Sequence, residues 1–226
     1  MAGFPTFDTA RLQLRELTLD DAPFYLRHFL DPDIVDLTAF EAPKDLTPAK
    51  AQLLQYCINL CHEGRGIRWG IVLKATGELV GTCGYHAWDR RSRSCRIGYD
   101  LAREHRRKGI MTEALREMIR YGFEGMGLNR IEVHIDPRDV GSLALVSALG
   151  FVQEGVLRES TFFRGAYLDD VCLALLRREW ARAGLQPSRP VNRRSGKREK
   201  RTPDPVRSPA HSGPGGTPRR PARPSR

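Results

Sequence analysis

The stretch that decides the fold covers residues 95–123 and reads CRIGYDLAREHRRKGIMTEALREMIRYGF. Large apolar residues alternate at its start, which is typical of a half-buried strand, and from Ile110 onward they recur at helical spacing. The turn between these parts, Arg106 to Gly109, holds three consecutive cations and a glycine. The sequence therefore predicts a strand, a basic glycine loop and the start of a helix in series.

The loop and the helix start are suited to binding an anion. The first N–H groups of a helix have no partner inside the helix and carry a partial positive charge, which attracts phosphate. Gly109 lets the backbone approach the anion closely, and Arg106, Arg107 and Lys108 add positive charge. Pyrophosphate is the expected ligand, and an ordinary solvated loop is the alternative.

The chain before this stretch predicts an antiparallel meander. Residues 11–17 alternate between polar and apolar types, with Leu12 and Leu14 directed inward. Two apolar runs, 67–74 and 79–88, are joined by a short turn and predict a hairpin. Three or four consecutive antiparallel strands therefore lead into the basic glycine loop.

Two helices are predicted in the same part of the chain. The first covers 23–30, because capping side chains precede it and Asp31-Pro-Asp33 stops it. The second covers 47–61, begins at a Thr-Pro pair and carries an apolar stripe. Residues 34–44, between the two helices, are predicted to be irregular and to form a wall of a substrate pocket.

The chain after the stretch predicts one parallel connection and a last hairpin. Residues 129–135 alternate as a strand, and a strand, a helix and a strand in sequence form a right-handed parallel crossover. Asp139 is expected to cap a short helix at 142–148, and 151–163 is expected to pair with 169–176. The predicted fold class is α/β, with a mixed, mostly antiparallel sheet and helices on its faces.

The C-terminal part of the chain differs from the rest in composition. Of the 226 residues, those from Pro187 onward contain 9 of the 15 prolines, 12 of the 37 Lys and Arg residues and 2 of the 27 acidic residues. The net charge of +10 therefore resides in this segment. It has too little apolar surface to offset chain entropy, so a disordered basic tail is predicted at 187–226, after a domain at 9–182.

Composition also argues against several classes of protein. No run of 18 apolar residues occurs and the first ten residues do not form a signal peptide, so we expect a soluble, cytoplasmic protein. Five cysteines without paired spacing indicate free thiols in a reducing compartment. Cys57, Cys61 and His62 are expected to pack on a helix without a second ligand cluster, so no metal site is predicted.

Four short motifs occur in a fixed order along the predicted domain. They are Thr9-Ala-Arg-Leu-Gln-Leu-Arg15, then Ile97-Gly-Tyr99 with Lys108-Gly109 and Thr112-Glu-Ala114, then Asp136-Pro137 with Ser142 and Leu149-Gly-Phe151, and finally Glu154-Gly-Val-Leu-Arg158 with Asp169. Together they resemble the GNAT superfamily of N-acetyltransferases, and within it the ribosomal-protein-alanine N-acetyltransferases. The resemblance covers residues 9–182 and implies the GNAT fold. It also implies direct transfer of an acetyl group from acetyl-CoA to a primary amine.

The resemblance assigns an acetyl-CoA site to the basic glycine loop. The family signature Q/R-x-x-G-x-G/A falls on residues 106–111, and the amides from Arg107 to Thr112 are implied to hold the pyrophosphate. Backbone N–H groups between Ile97 and Leu101 are implied to hold the thioester carbonyl. The implied cofactor-binding residues are Tyr99, Leu101, Arg106, Arg107, Lys108, Gly109, Ile110, Met111, Thr112, Asp139 and Ser142.

Four positions depart from the family pattern. Met111 replaces the last small residue of the signature, and Asp139 replaces an asparagine that helps to hold the cofactor. Val146 stands where many relatives have the tyrosine that protonates the departing thiolate. Arg96 stands where the family often has a catalytic carboxylate. The sequence alone leaves open whether these changes weaken activity.

Acetyl transfer requires a neutral amine, a proton acceptor and donors that stabilise the developing oxyanion. His134 is the first candidate base, and a packed or surface histidine is the alternative. Glu159 and Glu132 are further candidate bases, and an ordinary solvated strand carboxylate is the alternative for each. Ser142 is a candidate donor to the leaving thiolate, or only a helix cap.

Three functions remain open from the sequence. The first is acetylation of a protein N-terminal amine, and the second is the same reaction on a polyamine, an amino acid derivative or an antibiotic. The third is a non-catalytic acyl-CoA-binding or RNA-associated module. The basic clusters of the tail, such as Arg193-Arg194, predict weak contact with RNA or the ribosome, and an idle extension is the alternative.

Overall fold

The computed structural model describes residues 3–182, which contain one eight-stranded sheet. The strands are β1 (Phe7–Asp8), β2 (Leu12–Glu16), β3 (Ile67–Leu73), β4 (Leu79–Asp89), β5 (Ser94–Leu101), β6 (Arg130–Ile135), β7 (Val152–Phe163) and β8 (Ala166–Leu176). Their spatial order is β1-β2-β3-β4-β5-β6-β8-β7. The predicted tail at 187–226 and its predicted contact with RNA lie outside the described residues.

Seven α-helices accompany the sheet in the described part of the chain. They are α1 (Ala22–Phe29), α2 (Pro32–Thr38), α3 (Leu46–Leu53), α4 (Asn59–His62), α5 (Ile110–Glu124), α6 (Val140–Ala148) and α7 (Arg177–Arg182). A π-helical turn, Leu54–Ile58, joins α3 to α4, and 3-10 turns occur at Leu19–Asp21 and Arg103–His105. Within residues 3–182, none of the helices has the length and apolar character needed to cross a membrane.

The topology confirms the predicted fold class. Adjacent strands pair antiparallel everywhere except between β5 and β6, which are parallel. Helix α5 makes the crossover between these two strands, and its buried residues, such as Leu115 and Phe123, recur at the helical spacing read from the sequence. The mixed sheet with one parallel strand-helix-strand unit is therefore present as expected.

The prediction of an irregular segment at 34–44 was wrong over its first part. Helix α2 begins directly after α1, and the Asp31 side chain accepts a hydrogen bond from the N–H of Asp33. An Asp-Pro pair ends one helix because proline cannot continue it, but the same pair also supplies an N-cap and a favourable first helical residue. Here Asp31 and Pro32 do both, and Ala39 ends α2 in the left-handed conformation, with φ 48°.

The sheet has two chemically different faces. The helix face packs under α5 and α6 and includes Tyr85, Ile97 and Val133, which belong to the larger apolar core. Because side chains alternate along a strand, the residue next to each of these points to the opposite side. That opposite side, called the polar face below, carries a set of polar side chains from the central strands, namely Arg68, Thr82, His86, Arg96, Asp100 and His134.

Candidate active site

The sheet opens into a wedge between β5 and β6. Their parallel pairing runs from Ser94 with Arg130 to Arg96 with Glu132 and then stops. Strand β5 nevertheless continues to Leu101 and β6 to Ile135. After Arg96, the backbone N–H and C=O groups of β5 that point toward β6 have no strand partner. Backbone groups of this kind need other hydrogen-bonding partners. The wedge therefore offers backbone donors to a ligand.

A cavity of about 850 Å³ includes the wedge. Residues from both faces of the sheet line it, which is consistent with the divergence of the two strands. Four of the predicted site residues are among them, namely Tyr99, His134, Asp139 and Ser142. One wall is aromatic, with ring centroids between 4.6 and 6.4 Å apart, and consists of Tyr25, Phe29, Phe40 and Tyr56.

The start of α5 forms a cradle of backbone amides. Gly109 is the N-cap residue with φ 73°, a conformation in which glycine avoids strain, and Arg107 also has positive φ, at 60°. The first hydrogen bond within the helix is donated by the N–H of Glu113 to the carbonyl of Gly109. The amides of the three residues before Glu113 therefore have no partner within the helix. Alternating backbone conformations of this kind turn successive N–H groups toward one anion.

The cradle is held in place by the N-terminal segment, which the sequence did not reveal. The Glu113 carboxylate accepts hydrogen bonds from the Thr9 hydroxyl at 2.6 Å and from the Arg11 N–H at 2.8 Å. Arg11 Nε donates to the same carboxylate at 2.7 Å, and its Nη1 donates to the carbonyl of Lys108 at 2.9 Å. The motif at 9–15 therefore contributes by bracing the basic glycine loop from the turn between β1 and β2, about a hundred residues away in sequence.

Two of the departures from the family pattern cause no steric conflict. Met111 is 7% exposed and belongs to the apolar core, so its side chain points away from the cradle while its amide stays at the helix start. Val146 is fully buried in the same core. The place of the missing tyrosine is therefore filled by packed apolar side chains.

The predicted cations of the loop have different surroundings. Arg106 Nε donates to the carbonyl of Leu101 at 3.1 Å, so this side chain supports the loop from the end of β5. Arg107 and Lys108 are exposed. Ile110 is buried beneath the helix start and Thr112 is half-buried beside it. Only the exposed cations are thus free to meet a ligand through their side chains.

Tyr99 lies beside two other predicted site residues at the open end of the wedge. Its hydroxyl is buried and has no hydrogen-bond partner within residues 3–182. Burial raises the pKa of this phenol, the nearby Ser142 side chain lowers it, and the Asp139 carboxylate raises it. Asp139 also caps α6 by accepting a hydrogen bond from the Ser142 N–H at 2.9 Å. A protonated hydroxyl is therefore held next to the Ser142 hydroxyl.

His134 lines the polar side of the cavity together with a second histidine, His86. Burial and the charge of Arg96 lower the pKa of His134, whereas Asp170 and Glu132 raise it. Part of the His86 side chain is exposed to solvent, and the rest is surrounded by protein atoms. This partial burial, together with the charges of Arg68 and Arg96, lowers the pKa of His86 to about 4. Both imidazoles are therefore neutral near pH 7.

A buried polar network underlies the same side of the cavity. Arg68 forms a salt bridge with Asp100, and its Nε donates to the Thr82 hydroxyl at 2.9 Å. The Thr82 hydroxyl donates to Asp100 at 2.6 Å, and His28 Nε2 lies 2.8 Å from the same carboxylate. Although burial raises the pKa of Asp100, Arg68 and the other partners lower it to about 2. Sequence reasoning missed this network, because its members come from four separate elements.

The two alternative bases lie elsewhere. Glu159 is exposed on β7, has φ 51° at an irregularity in the pairing with β8, and is not among the residues that line the cavity. Glu132 receives a hydrogen bond from Arg130 Nε at 2.5 Å and lies 3.7 Å from Arg96. These placements favour His134 over both glutamates as the group that faces the wedge.

The buried cysteines are not suited to nucleophilic attack. Burial raises the pKa of Cys83 and of Cys95 to about 12, and that of Cys57 to about 11. A thiol must ionise to react as a nucleophile, so these groups are inert near neutral pH. The cysteines therefore offer no support for an acyl-enzyme.

A sheet that splits at its parallel pair offers backbone donors to a carbonyl oxygen, and the helix start beside it offers amides to a phosphate, which is the chemistry that a CoA thioester requires. Residues 11–152 match the model of the acetyltransferase (GNAT) domain. The chain is 36% identical over 176 residues to an uncharacterized N-acetyltransferase, p20, of Bacillus licheniformis, a match that covers 78% of this chain and 98% of the relative. The chain belongs to the GNAT family and is an acetyl-CoA-dependent N-acetyltransferase.

Two further relatives connect the chain to a branch of the family. It is 29% identical over 159 residues to the [ribosomal protein uS5]-alanine N-acetyltransferase of Escherichia coli. This match covers 68% of this chain and 78% of the relative. Its fold matches Mycobacterium smegmatis RimJ in complex with CoA-disulfide, with a TM-score of 0.65 and 27% identity. That match covers 74% of this chain and 83% of RimJ. Similarity to these proteins supports the ribosomal-protein-alanine branch named from the motifs.

Proposed function

We propose that this protein acetylates a protein N-terminal α-amine by direct attack of the amine on acetyl-CoA. The observation that carries the proposal is the wedge, since the anion cradle lies at the start of α5 on its helix side and the cavity that includes the wedge is lined from both faces of the sheet. A ternary complex needs two such approaches, because the acetyl donor and the amine must meet at one carbon. The similarity to the uS5-alanine enzyme supports a peptide acceptor.

The residues present fit a CoA thioester on the helix side. The amides from Arg107 to Thr112 would hold the pyrophosphate, with Lys108 adding charge from its exposed side chain. Unpaired β5 backbone N–H groups would donate to the carbonyl oxygen of the thioester and to the oxyanion that forms on attack. Neither contribution depends on a particular side chain.

We assign proton acceptance to His134, directly or through water. A base must be unprotonated to act, and its lowered pKa keeps His134 neutral near pH 7. His86 is held to a pKa of about 4, which makes it the weaker base of the two. Asp170 and Glu132 stabilise the protonated form of His134 as it develops, because both carboxylates raise its pKa.

We assign stabilisation of the departing thiolate to the hydroxyls of Ser142 and Tyr99. Both residues line the cavity, and the Ser142 side chain lies close enough to the Tyr99 hydroxyl to lower its pKa. Val146 removes the tyrosine that many relatives have, so another donor is needed in its place. Tyr99 thus combines a cofactor-binding position with a proton to donate.

A small-amine acceptor is the second candidate. Both signs of charge line the cavity, with three arginines and four aspartates, namely Arg65, Arg68, Arg96, Asp100, Asp136, Asp139 and Asp170. The charge of the lining therefore does not separate a polyamine from an amino acid derivative, and both are compared with peptides by experiment.

Thiol release from acetyl-CoA, followed with a panel of acceptors, tests the proposed function. The panel contains short peptides that begin with Ala or Ser, the same peptides with blocked N-termini, and spermidine. We expect release with the free peptides, none with the blocked ones and little with spermidine. Release with spermidine but not with peptides would move the assignment to small amines, and the absence of release with every amine would refute it.

A further inference from the structure

The polar side of the cavity carries donors that the acetyl donor does not use. Gly98 lies at its centre, and a Cβ atom there would lie 3.1 Å from Arg68 Nη1 and 3.8 Å from His86 Nδ1. Both groups therefore border the space left open by the missing side chain. This space is called the glycine floor below, and it lies on the strand that borders the wedge.

Arg68 is fixed so that one end of its guanidinium stays available. Its Nε donates to Thr82 and its Nη2 to Asp100, while its Nη1 makes no hydrogen bond with any residue in the range 3–182. The Asp100 carboxylate is only 2% exposed, so it supports Arg68 from behind and is itself out of reach of a ligand. A donor that is already oriented loses little conformational freedom when it binds an acceptor.

Arg96 brings a positive charge that its neighbours neutralise incompletely. Its closest carboxylate oxygen belongs to Glu132, at 3.7 Å from Nε, and the other oxygen of Glu132 is bound by Arg130 at 2.5 Å. The Arg96 side chain is 47% exposed and lines the cavity. Since an arginine can bind a carboxylate through two parallel hydrogen bonds, Arg96 is well suited to an anion.

The surrounding groups agree with an anionic ligand. His86 is influenced by both Arg68 and Arg96, as well as by His134, so it lies within the same positive environment. Asp170, the acidic residue near His134, already accepts hydrogen bonds from the hydroxyls of Ser160 and Thr161. Two of its hydrogen-bonding positions are therefore taken. Aspartates also line other parts of the cavity, but the three atoms nearest to a Cβ at Gly98 belong to Arg68 and His86.

We propose that the acceptor carries a carboxylate close to its amine, and that Arg68, His86 and Arg96 bind this carboxylate over the glycine floor. The inference rests on the proposed function and names the chemical class of its substrate. Two sources supply such chemistry: the side chain of an acidic residue next to the N-terminus of a peptide, and the α-carboxylate of a free amino acid. In both, the amine lies a few bonds from the bound acid and reaches the wedge beside His134.

Binding of reaction products tests the inference without turnover. The probes are N-acetylalanine, N-acetylalaninamide, and the acetylated dipeptide amides of Ala-Asp and Ala-Asn, added to the full chain in the presence of CoA. We expect the acidic member of at least one pair to bind about tenfold more tightly, as a charge-assisted hydrogen bond is stronger than a neutral one. The imidazole signals of His86 should then titrate at a higher pH. The pair that shows the difference identifies the source of the carboxylate.

Arg96→Gln supplies the matched variant, because its side chain is half exposed and its contact with Glu132 is long, at 3.7 Å. We expect the tenfold preference for the acidic probe to disappear, while the affinity for the neutral probe changes less than about twofold. Arg116→Gln removes the same charge from the exposed side of α5 and serves as the control. It should leave both affinities unchanged.

Equal binding of acidic and neutral probes by the intact protein, with no change in the His86 titration, overturns the inference. A preference that survives in Arg96→Gln overturns the assignment of that residue. Failure of the proposed function looks different, because then acetyl-CoA releases no thiol with any amine, whatever the probes bind. A preference for N-acetylalanine alone would retain the acidic acceptor and replace the peptide with a free amino acid.

Discussion

The two sides of the wedge are built from different parts of the protein. On the helix side, the cradle consists of backbone amides between Arg107 and Thr112, whose conformation is set by a local turn and braced by Arg11. On the polar side, the binding groups are side chains, and Arg68 is placed by Asp100, 32 residues away. A site made of backbone depends on a short sequence motif, whereas a site made of side chains depends on tertiary structure. Under the proposed function, the first side would serve the co-substrate common to the family, and the second would vary with the acceptor.

The largest effect on stability is expected at Asp100, the buried carboxylate that pairs with Arg68 on the polar side. Asp100→Asn removes the buried partner of Arg68 and should lower the free energy of unfolding by about 3–5 kcal/mol, as it leaves a buried charge unpaired. Denaturant titration measures the change. The matched control is Glu154→Gln, which breaks the exposed pair with Arg130 and should cost less than about 1 kcal/mol.

The same carboxylate predicts how stability depends on pH. The pKa of Asp100 lies at about 2 in the folded protein, against an ordinary value of 3.8. Its contribution is therefore complete above pH 3.8 and is lost as the pH falls through about 2. The wild type should lose stability across this window more steeply than Asp100→Asn, and equal slopes would argue against the buried ion pair.

The next effect concerns the base on the polar side. His134→Gln should lower kcat by about 30-fold. This is less than the usual cost of losing a general base, because water partly replaces the imidazole as proton acceptor. Protonation of the acceptor α-amine lowers the rate below about pH 8 in every variant. Because the pKa of His134 lies below its ordinary value of 6.5, protonation of this base should add a second fall in the wild-type rate below that pH. The variant should lack this second fall. His62→Gln, at an exposed site, should keep the wild-type rate and profile.

The smallest effect is expected on the helix side. Tyr99→Phe removes one donor from the leaving thiolate and should lower kcat about fivefold, equivalent to about 1 kcal/mol. The Ser142 side chain is the neighbour that lowers the pKa of this hydroxyl, so its removal should lower the free energy of unfolding by less than about 1 kcal/mol. A larger loss of stability with an unchanged kcat would assign Tyr99 a structural role. Tyr167→Phe, at a residue that is 66% exposed, is the control.

Features that depend on local sequence were predicted better than features that depend on tertiary structure. The crossover of β5, α5 and β6 and the N-cap at Asp139 were predicted, because local periodicity and capping residues determine them. Helix α2 was missed, since an Asp-Pro pair both ends and begins helices. The tail at 187–226 stays a prediction.

The same reasoning applies to the site. Gly109 and its neighbours were identified from a motif, and the structure places them at a helix start. His86, Arg68 and Asp100 were not identified, because single polar residues on separate strands give no local signal and only the register of β3, β4 and β5 brings them together. The role of Arg11 as a clamp was missed for the same reason.

The central claim is that the helix side binds acetyl-CoA independently of the polar side. Calorimetric titration of acetyl-CoA into the wild type, Gly109→Pro and Arg96→Gln tests it most directly. Proline cannot adopt the positive φ of Gly109, so the cradle should be lost and the affinity should fall by about 100-fold, through several charge-assisted hydrogen bonds. Arg96→Gln should bind acetyl-CoA as the wild type does. Equal affinity of the Gly109 variant, measured on folded protein, would contradict the account.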